Sequence, residues 1–255
     1  MEIFTTCIFF FLGLVFGSFF HVVGYRLPKG ESLIEPKKSY CPTCNHKLGA
    51  IDLIPVFSYL FNFGKCRYCK SKISVTYPVI ELVTGVLFAT SYHLFGMSYE
   101  LLNALILSGL LSIVLVSDLE YLIIPDSVTL TGGVLLIIVS FFQNGIERTA
   151  ISLLYGLLAF LLMYLLMLLG NFLFKKESLG GADIKLMFLS GFLLGPILSL
   201  VVIFLSSLIA LPIAMILYIK NKENMIAYGP FLILAMIILY FLQIDVSILL
   251  QILSF

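Results

Sequence analysis

Charge is what this sequence has little of. Of its 255 residues only 11% are Asp, Glu, Lys or Arg, while 61% are apolar and the mean hydropathy is +1.12. Soluble domains carry about 25% charged and roughly 45–50% apolar residues. A soluble globular domain is therefore excluded, and the chain reads as an integral membrane protein. A secretory signal is also missing. Met1-Glu2-Ile3-Phe4 has no basic stretch, and no small-residue cleavage pattern follows the first apolar run. That run is expected to stay in place as a membrane span. No internal repeat, low-complexity tract or glycine-rich dinucleotide signature is present. The net charge of +1 gives no sign of a nucleic-acid partner, and none is expected. The three histidines carry little: His46 could stand in as a metal ligand, His93 lies in an apolar run, and His21 ends the first run.

Long apolar runs fill most of the remainder. A span takes about 20 mostly apolar residues, so there is room for roughly eight and little besides. Runs over 3–23, 78–95, 101–116, 127–142 and 150–174 supply five. The run 184–219 is too long for one span, and Gly191-Phe-Leu-Leu-Gly195-Pro196 divides it into a short sixth and a longer seventh. An eighth starts at 229–242, with 246–255 extending it or lying along the interface. The fold class is thus all-α and polytopic, in contact with the lipid bilayer over most of its surface. Gly13-Leu-Val-Phe-Gly17 has the GxxxG spacing that permits close helix contact. Residues 1–77, one span and a polar loop, are expected to form one unit, and 78–255 a second.

Nine of the fifteen Lys and Arg residues lie between Arg26 and Lys72. Basic loops stay in the cytoplasm. Counting spans from there puts Asp118, Lys175-Lys176, Asp183 and Lys220 to Lys222 on the cytoplasmic face, the lysines reading as interfacial anchors. Residues 98–100, 143–148 and Asp245 fall outside, where Arg148 is the only basic residue. Neither aspartate was used to set this topology, yet both arrive at one face.

Four of the five cysteines form Cys41-Pro-Thr-Cys44 and Cys66-Arg-Tyr-Cys69, with twenty-one residues between the pairs. Such spacing suits a tetrahedral zinc site. Disulfides persist mainly in oxidising compartments, which a cytoplasmic loop is not. Four thiolates close the coordination sphere, so the metal is expected to be structural. Cys7 reads as a small apolar residue of the first span.

The stretch Ser178-Leu-Gly180-Gly181-Ala182-Asp183-Ile-Lys185-Leu186 sets a carboxylate where an apolar helix begins. An acid at a membrane boundary is a functional-site hypothesis by default. A helix cap is the plainer reading. The linker after the third run offers Asp118, Glu120 and Asp126, and spacing does not choose among them. Two carboxylates held together support hydrolysis: the ionised one takes a proton from water, and its protonated neighbour gives one to the scissile carbonyl.

These residues resemble the type IV prepilin peptidases. The resemblance runs through Gly17-Ser18-Phe19, Arg26-Leu27-Pro28, both cysteine pairs, Asp52-Leu-Ile-Pro55 and Lys65-Cys66-Arg67. It continues through Tyr77-Pro78, Glu81-Leu82, Asp118 with Ile124-Pro125-Asp126, 180–186 and Tyr228-Gly229-Pro230-Phe231. It implies an aspartic endopeptidase whose catalytic pair is Asp118 and Asp183, with Gly180 and Gly181 admitting the substrate backbone. The implied substrates are prepilin or pseudopilin precursors, cut after a glycine at the cytoplasmic face of the bacterial cell membrane. Many members also N-methylate the new amino terminus with S-adenosyl-L-methionine, an activity associated with the cysteine region. Two positions depart from the pattern. Ala182 replaces the second glycine of GxGD, and His21 stands where many members have Asn. A membrane N-methyltransferase with secondary or no peptidase activity, and a non-enzymatic membrane scaffold with a zinc knuckle, are the alternatives. Oligomeric state and the pilus, secretion or competence system served are left open.

Overall fold

A computed structural model describes residues 2–33, 39–175, 180–221 and 227–244. The expectations placed on Lys176, Ser178, Leu179, Lys222, Asp245 and 246–255, and on the Lys220 side chain, lie outside the described residues. The described residues are helical and loop, with no strand beyond two isolated bridges, Tyr40–Lys47 and Lys65–Lys72. In chain order the helices are α1 (Glu2–Arg26), α2 (Phe57–Phe61), α3 (Thr76–Phe95), α4 (Tyr99–Tyr121), α5 (Asp126–Phe174), α6 (Gly181–Leu194), α7 (Pro196–Asn221) and α8 (Gly229–Phe241).

Among the described residues, five helical stretches are long and apolar enough to cross a membrane: Glu2–Lys29, Thr76–Phe95, Tyr99–Tyr121, Asp126–Leu173 and Pro196–Ile219. The expectation of about eight crossings is met to that extent. The physical reason lies in α5, α6 and α8. At 1.5 Å per residue the 49 residues of α5 would run about 74 Å if straight, more than twice the hydrocarbon thickness. The helix breaks at Gly145, whose φ of 76° and ψ of 178° are non-helical. Ser140 Oγ and Thr149 Oγ1 then meet at 3.1 Å. Residues nine apart in a straight helix would be roughly 13 Å apart, so the chain turns back there. At 14 and 13 residues, α6 and α8 are shorter than a span.

Both short helices sit in the middle of the bundle. Leu186 and Met187 of α6 and Leu232 and Ile233 of α8 are fully buried, packed with Leu107, Leu110 and Val114 of α4. The GxxxG stripe of α1 meets α3. A Cβ at Gly13 would come within 2.7 Å of Gly85 Cα, and one at Gly17 within 2.8 Å of Glu81 Cα, so only glycine permits this approach. At 184–219 the break falls where the sequence puts it. Gly195, at φ 86°, ends α6, and Pro196 opens α7, where its missing N–H costs nothing. One boundary needs correcting. The third run was expected to stop at 116, but α4 continues to Tyr121 and carries Asp118 within its last turns.

Candidate active site

Asp118 and Asp183 come from helix ends at one end of the bundle. Leu122, in the left-handed conformation (φ 54°), caps α4 by donating its N–H to the Asp118 carbonyl at 2.9 Å. Ile124-Pro125 then runs extended into α5. Asp183 lies in the first turn of α6, where its N–H donates to the carbonyl of Gly180, the N-cap residue, at 3.1 Å. Both aspartates are buried, 6% and 7% exposed, and the charge of Asp118 acts on Asp183.

A third element closes the site. The backbone N–H of Gly229, at the start of α8, donates to Asp118 Oδ2 at 3.2 Å. A helix N-terminus presents unpaired amides and a positive dipole end, so an anion is favoured there. A Cβ at Gly229 would lie 3.3 Å from the same oxygen and closer still to Ile124 Cδ1. Sequence reasoning gave Gly229 no role. Its signal was the Tyr228-Gly229-Pro230 run opening an apolar helix.

The other two linker acids point elsewhere. Glu120 is exposed. Asp126 is also exposed and accepts a hydrogen bond from Lys185 Nζ at 2.5 Å, joining the start of α5 to the start of α6. Gly180 and Gly181 are both exposed, and a Cβ on Gly181 would meet nothing within 4 Å. A Cβ on Gly180 would lie 3.2 Å from Asp183 Oδ2.

The four cysteines gather in the loop between α1 and α3. Their sulfurs all lie within 4.8 Å of one another, with Cys41 and Cys69 at 3.8 Å. A tetrahedral zinc with bonds of about 2.3 Å has sulfur–sulfur edges of about 3.8 Å, so the donor set fits. All four are free thiols. Each pair sits on a matching turn. Asn45 and Lys70, both at positive φ, donate N–H bonds back to the Cys41 and Cys66 carbonyls at 2.8 and 3.0 Å. The Cys44 backbone N–H holds the Cys41 thiol down at about 6. The Ser71 hydroxyl lowers Cys69 in the same way. Against the His46 backbone N–H, burial and the neighbouring Cys69 and Cys41 sulfurs push Cys44 the other way, up to about 11, so a cation at the centre is what would hold all four as thiolates. Asp52 braces the loop, accepting from Gly49 N–H at 3.0 Å and Tyr68 OH at 3.1 Å, and this raises the Tyr68 phenol above its ordinary value.

Known proteins match most of this chain. Residues 104–215, which include both aspartates, match the type IV leader peptidase family, and residues 11–95, which include the four cysteines, match the bacterial peptidase A24 N-terminal domain. A prepilin leader peptidase/N-methyltransferase of Bacillus subtilis is 36% identical over 74% of this chain and 73% of its own length. The protein of the same name from Vibrio cholerae is 31% identical over 94% of this chain and 98% of its own length. One from Neisseria gonorrhoeae is 33% identical over 86% and 84%. The chain belongs to the type IV leader peptidase family. No solved structure matches it. Family membership favours an enzyme over the scaffold alternative. The described geometry holds two buried carboxylates within electrostatic reach of each other, an amide donor on one of them, and exposed glycines just before the other.

Proposed function

We propose that this protein is a membrane aspartic endopeptidase that removes the short basic leader of a type IV prepilin-like or pseudopilin precursor. The cut falls after a glycine, at the cytoplasmic face of the cell membrane. The observation that supports the reading is that two buried aspartates, one from the end of α4 and one from the start of α6, lie within electrostatic reach of each other, and the basic loop favours a cytoplasmic side for that end.

Asp118, which receives the Gly229 amide, is suited to remain ionised and take a proton from water. Asp183, sharing the site, holds the proton that goes to the scissile carbonyl oxygen. The water oxygen bonds to the carbonyl carbon and gives a neutral diol. A proton then passes to the peptide nitrogen, the C–N bond breaks, and the products are a leader with a terminal carboxyl and a mature chain with a free α-amine. Gly180 and Gly181 leave room for the substrate backbone beside Asp183. Cys41, Cys44, Cys66 and Cys69 hold a structural zinc that shapes the loop and takes no part in these steps. N-methylation of the new α-amine would use S-adenosyl-L-methionine. That activity rests on the second half of the relatives' names, and the chain carries no glycine-rich signature for such a donor. Residues 1–77 are its proposed seat, and 78–255 the peptidase.

Co-expression with a precursor tests this. Asp118→Asn and Asp183→Asn lose cleavage while protein levels hold, and processing retained by either variant removes the pair. Mass spectrometry of the mature amino terminus reads cleavage and methylation separately.

A further inference from the structure

The loop between α1 and α3 exposes far more apolar surface than a water-facing loop should. Phe61 is 79% exposed, Phe63 88% and Ile51 69%, with Phe57 and Leu60 exposed beside them. Phe57, Leu60 and Phe61 fall at i, i+3 and i+4 of α2, so they share one face. A contiguous apolar patch of this kind marks an interaction surface.

Its position in the fold identifies the partner. The Val56 N–H donates to Glu81 Oε2 at 2.6 Å, a buried contact that ties the start of α2 to α3. Glu81 lies five residues into α3, a span that begins at Thr76. At 1.5 Å per residue the tether point is about 7.5 Å below the start of that helix. Interfacial helices bury their apolar face roughly 5–10 Å into the boundary between headgroups and acyl chains. The depths agree. Val75, just before α3, and Val79 and Leu82 within it are exposed apolar residues as well, spaced to share one face of that helix.

The backbone is strained to hold this posture. Val56 has φ 62° and ψ −51°, and the Phe57 N–H reaches the Pro55 carbonyl at 2.6 Å. This is a γ-turn of the rare positive-φ kind, costly for a β-branched residue. Such strain persists only where the surroundings fix it. Here the Glu81 carboxylate does so, and the turn sets the direction of α2. Lys65, Arg67, Lys70 and Lys72 follow within the same loop. Cations near the surface are attracted to anionic lipid headgroups.

We propose that α2 and the turn after it, 57–63, form an in-plane anchor that seats the cysteine loop in the cytoplasmic leaflet, with Phe61 and Phe63 among the acyl chains. This rests on the membrane topology and not on the assignment of the aspartates. The chain contains no Trp, so a single introduced indole is read without background. Phe61→Trp and Phe63→Trp, in the full chain in vesicles of zwitterionic and anionic lipid, are compared with Tyr40→Trp, an exposed position beside Cys41 and outside 57–63. Zinc content serves as the folding control. Emission of the two anchor variants shifts to the blue and is quenched by brominated acyl chains and not by acrylamide, while Tyr40→Trp behaves oppositely. Equal acrylamide quenching at all three positions overturns the proposal. So does a blue shift at positions 61 and 63 that appears only when precursor peptide is added, which would make the patch a docking surface for protein substrate.

Discussion

The helical bundle and the cysteine loop hold their shapes by different physics. In the bundle, backbone polar groups are satisfied within helices, and residues such as Leu186, Met187, Leu232 and Ile233 lose all contact with solvent. Between residues 39 and 75 there is a three-residue 3₁₀ turn, a five-residue helix and non-glycine residues at positive φ: Asn45, Val56, Phe63 and Lys70. That loop depends on a few strong local ties, namely the cysteine tetrad, the Asp52 brace and the Glu81 contact. The difference shows where each kind of chemistry can be kept. Two buried acids are held on helix ends fixed by a core. An exposed apolar surface can sit on a loop fixed by a four-cysteine cluster and two carboxylates.

Catalysis and stability are expected to separate between the two regions. Asp118→Asn and Asp183→Asn are each expected to lower kcat for precursor cleavage by about 10²–10⁴-fold or more, with the melting temperature unchanged or raised. Chelation of zinc, or Cys44→Ser, is expected to do the reverse. Structural zinc contributes on the order of 10 kcal/mol to the fold it closes. The loop should become sensitive to protease between 39 and 75 while the bundle resists. Metal analysis of purified protein checks the premise, and loss of the bundle together with the loop would show that the two regions are not separable.

The Glu81 tether comes next in size. Glu81→Gln keeps an acceptor for the Val56 N–H and should be tolerated. Glu81→Leu leaves a buried amide unpaired, a cost of about 1–3 kcal/mol. Hydrogen exchange at 51–63 reads the difference. Equal exchange in the two variants would mean that something else holds the γ-turn.

Much of this architecture was legible in the residues. Hydropathy showed the apolar runs, and Gly195-Pro196 marked the break between α6 and α7 because one residue needs positive φ and the next cannot continue a helix. The cysteine spacing alone brought four sulfurs together. What stayed hidden is tertiary in origin. Burial separates Asp118 from Glu120 and Asp126, and burial depends on α6 and α8 arriving against α4, which no local pattern encodes. The reach of Gly229 across 111 residues to Asp118 belongs to the same class. The turn at Gly145 falls within 143–148, the polar stretch that the sequence set between its fourth and fifth runs.

The smallest expected effect tests the glycine approach and the exposed ion pair together. Gly181→Ala adds a methyl group to open space, so folding and the melting temperature should not change. If substrate passes there, KM for precursor rises while kcat for the bound peptide holds. Asp126→Asn and Lys185→Ala break a pair whose partners are both largely in solvent, and such pairs contribute about 0–1 kcal/mol. Activity should therefore fall by no more than about fivefold, a figure that corresponds to roughly 1 kcal/mol. The contrast with Asp118→Asn is then between two aspartates eight residues apart in one linker, alike in charge and unlike in burial. A loss at Asp126 as large as that at Asp118 would show that the linker acids act as a set, and that shielding from water is not what selects the working carboxylate.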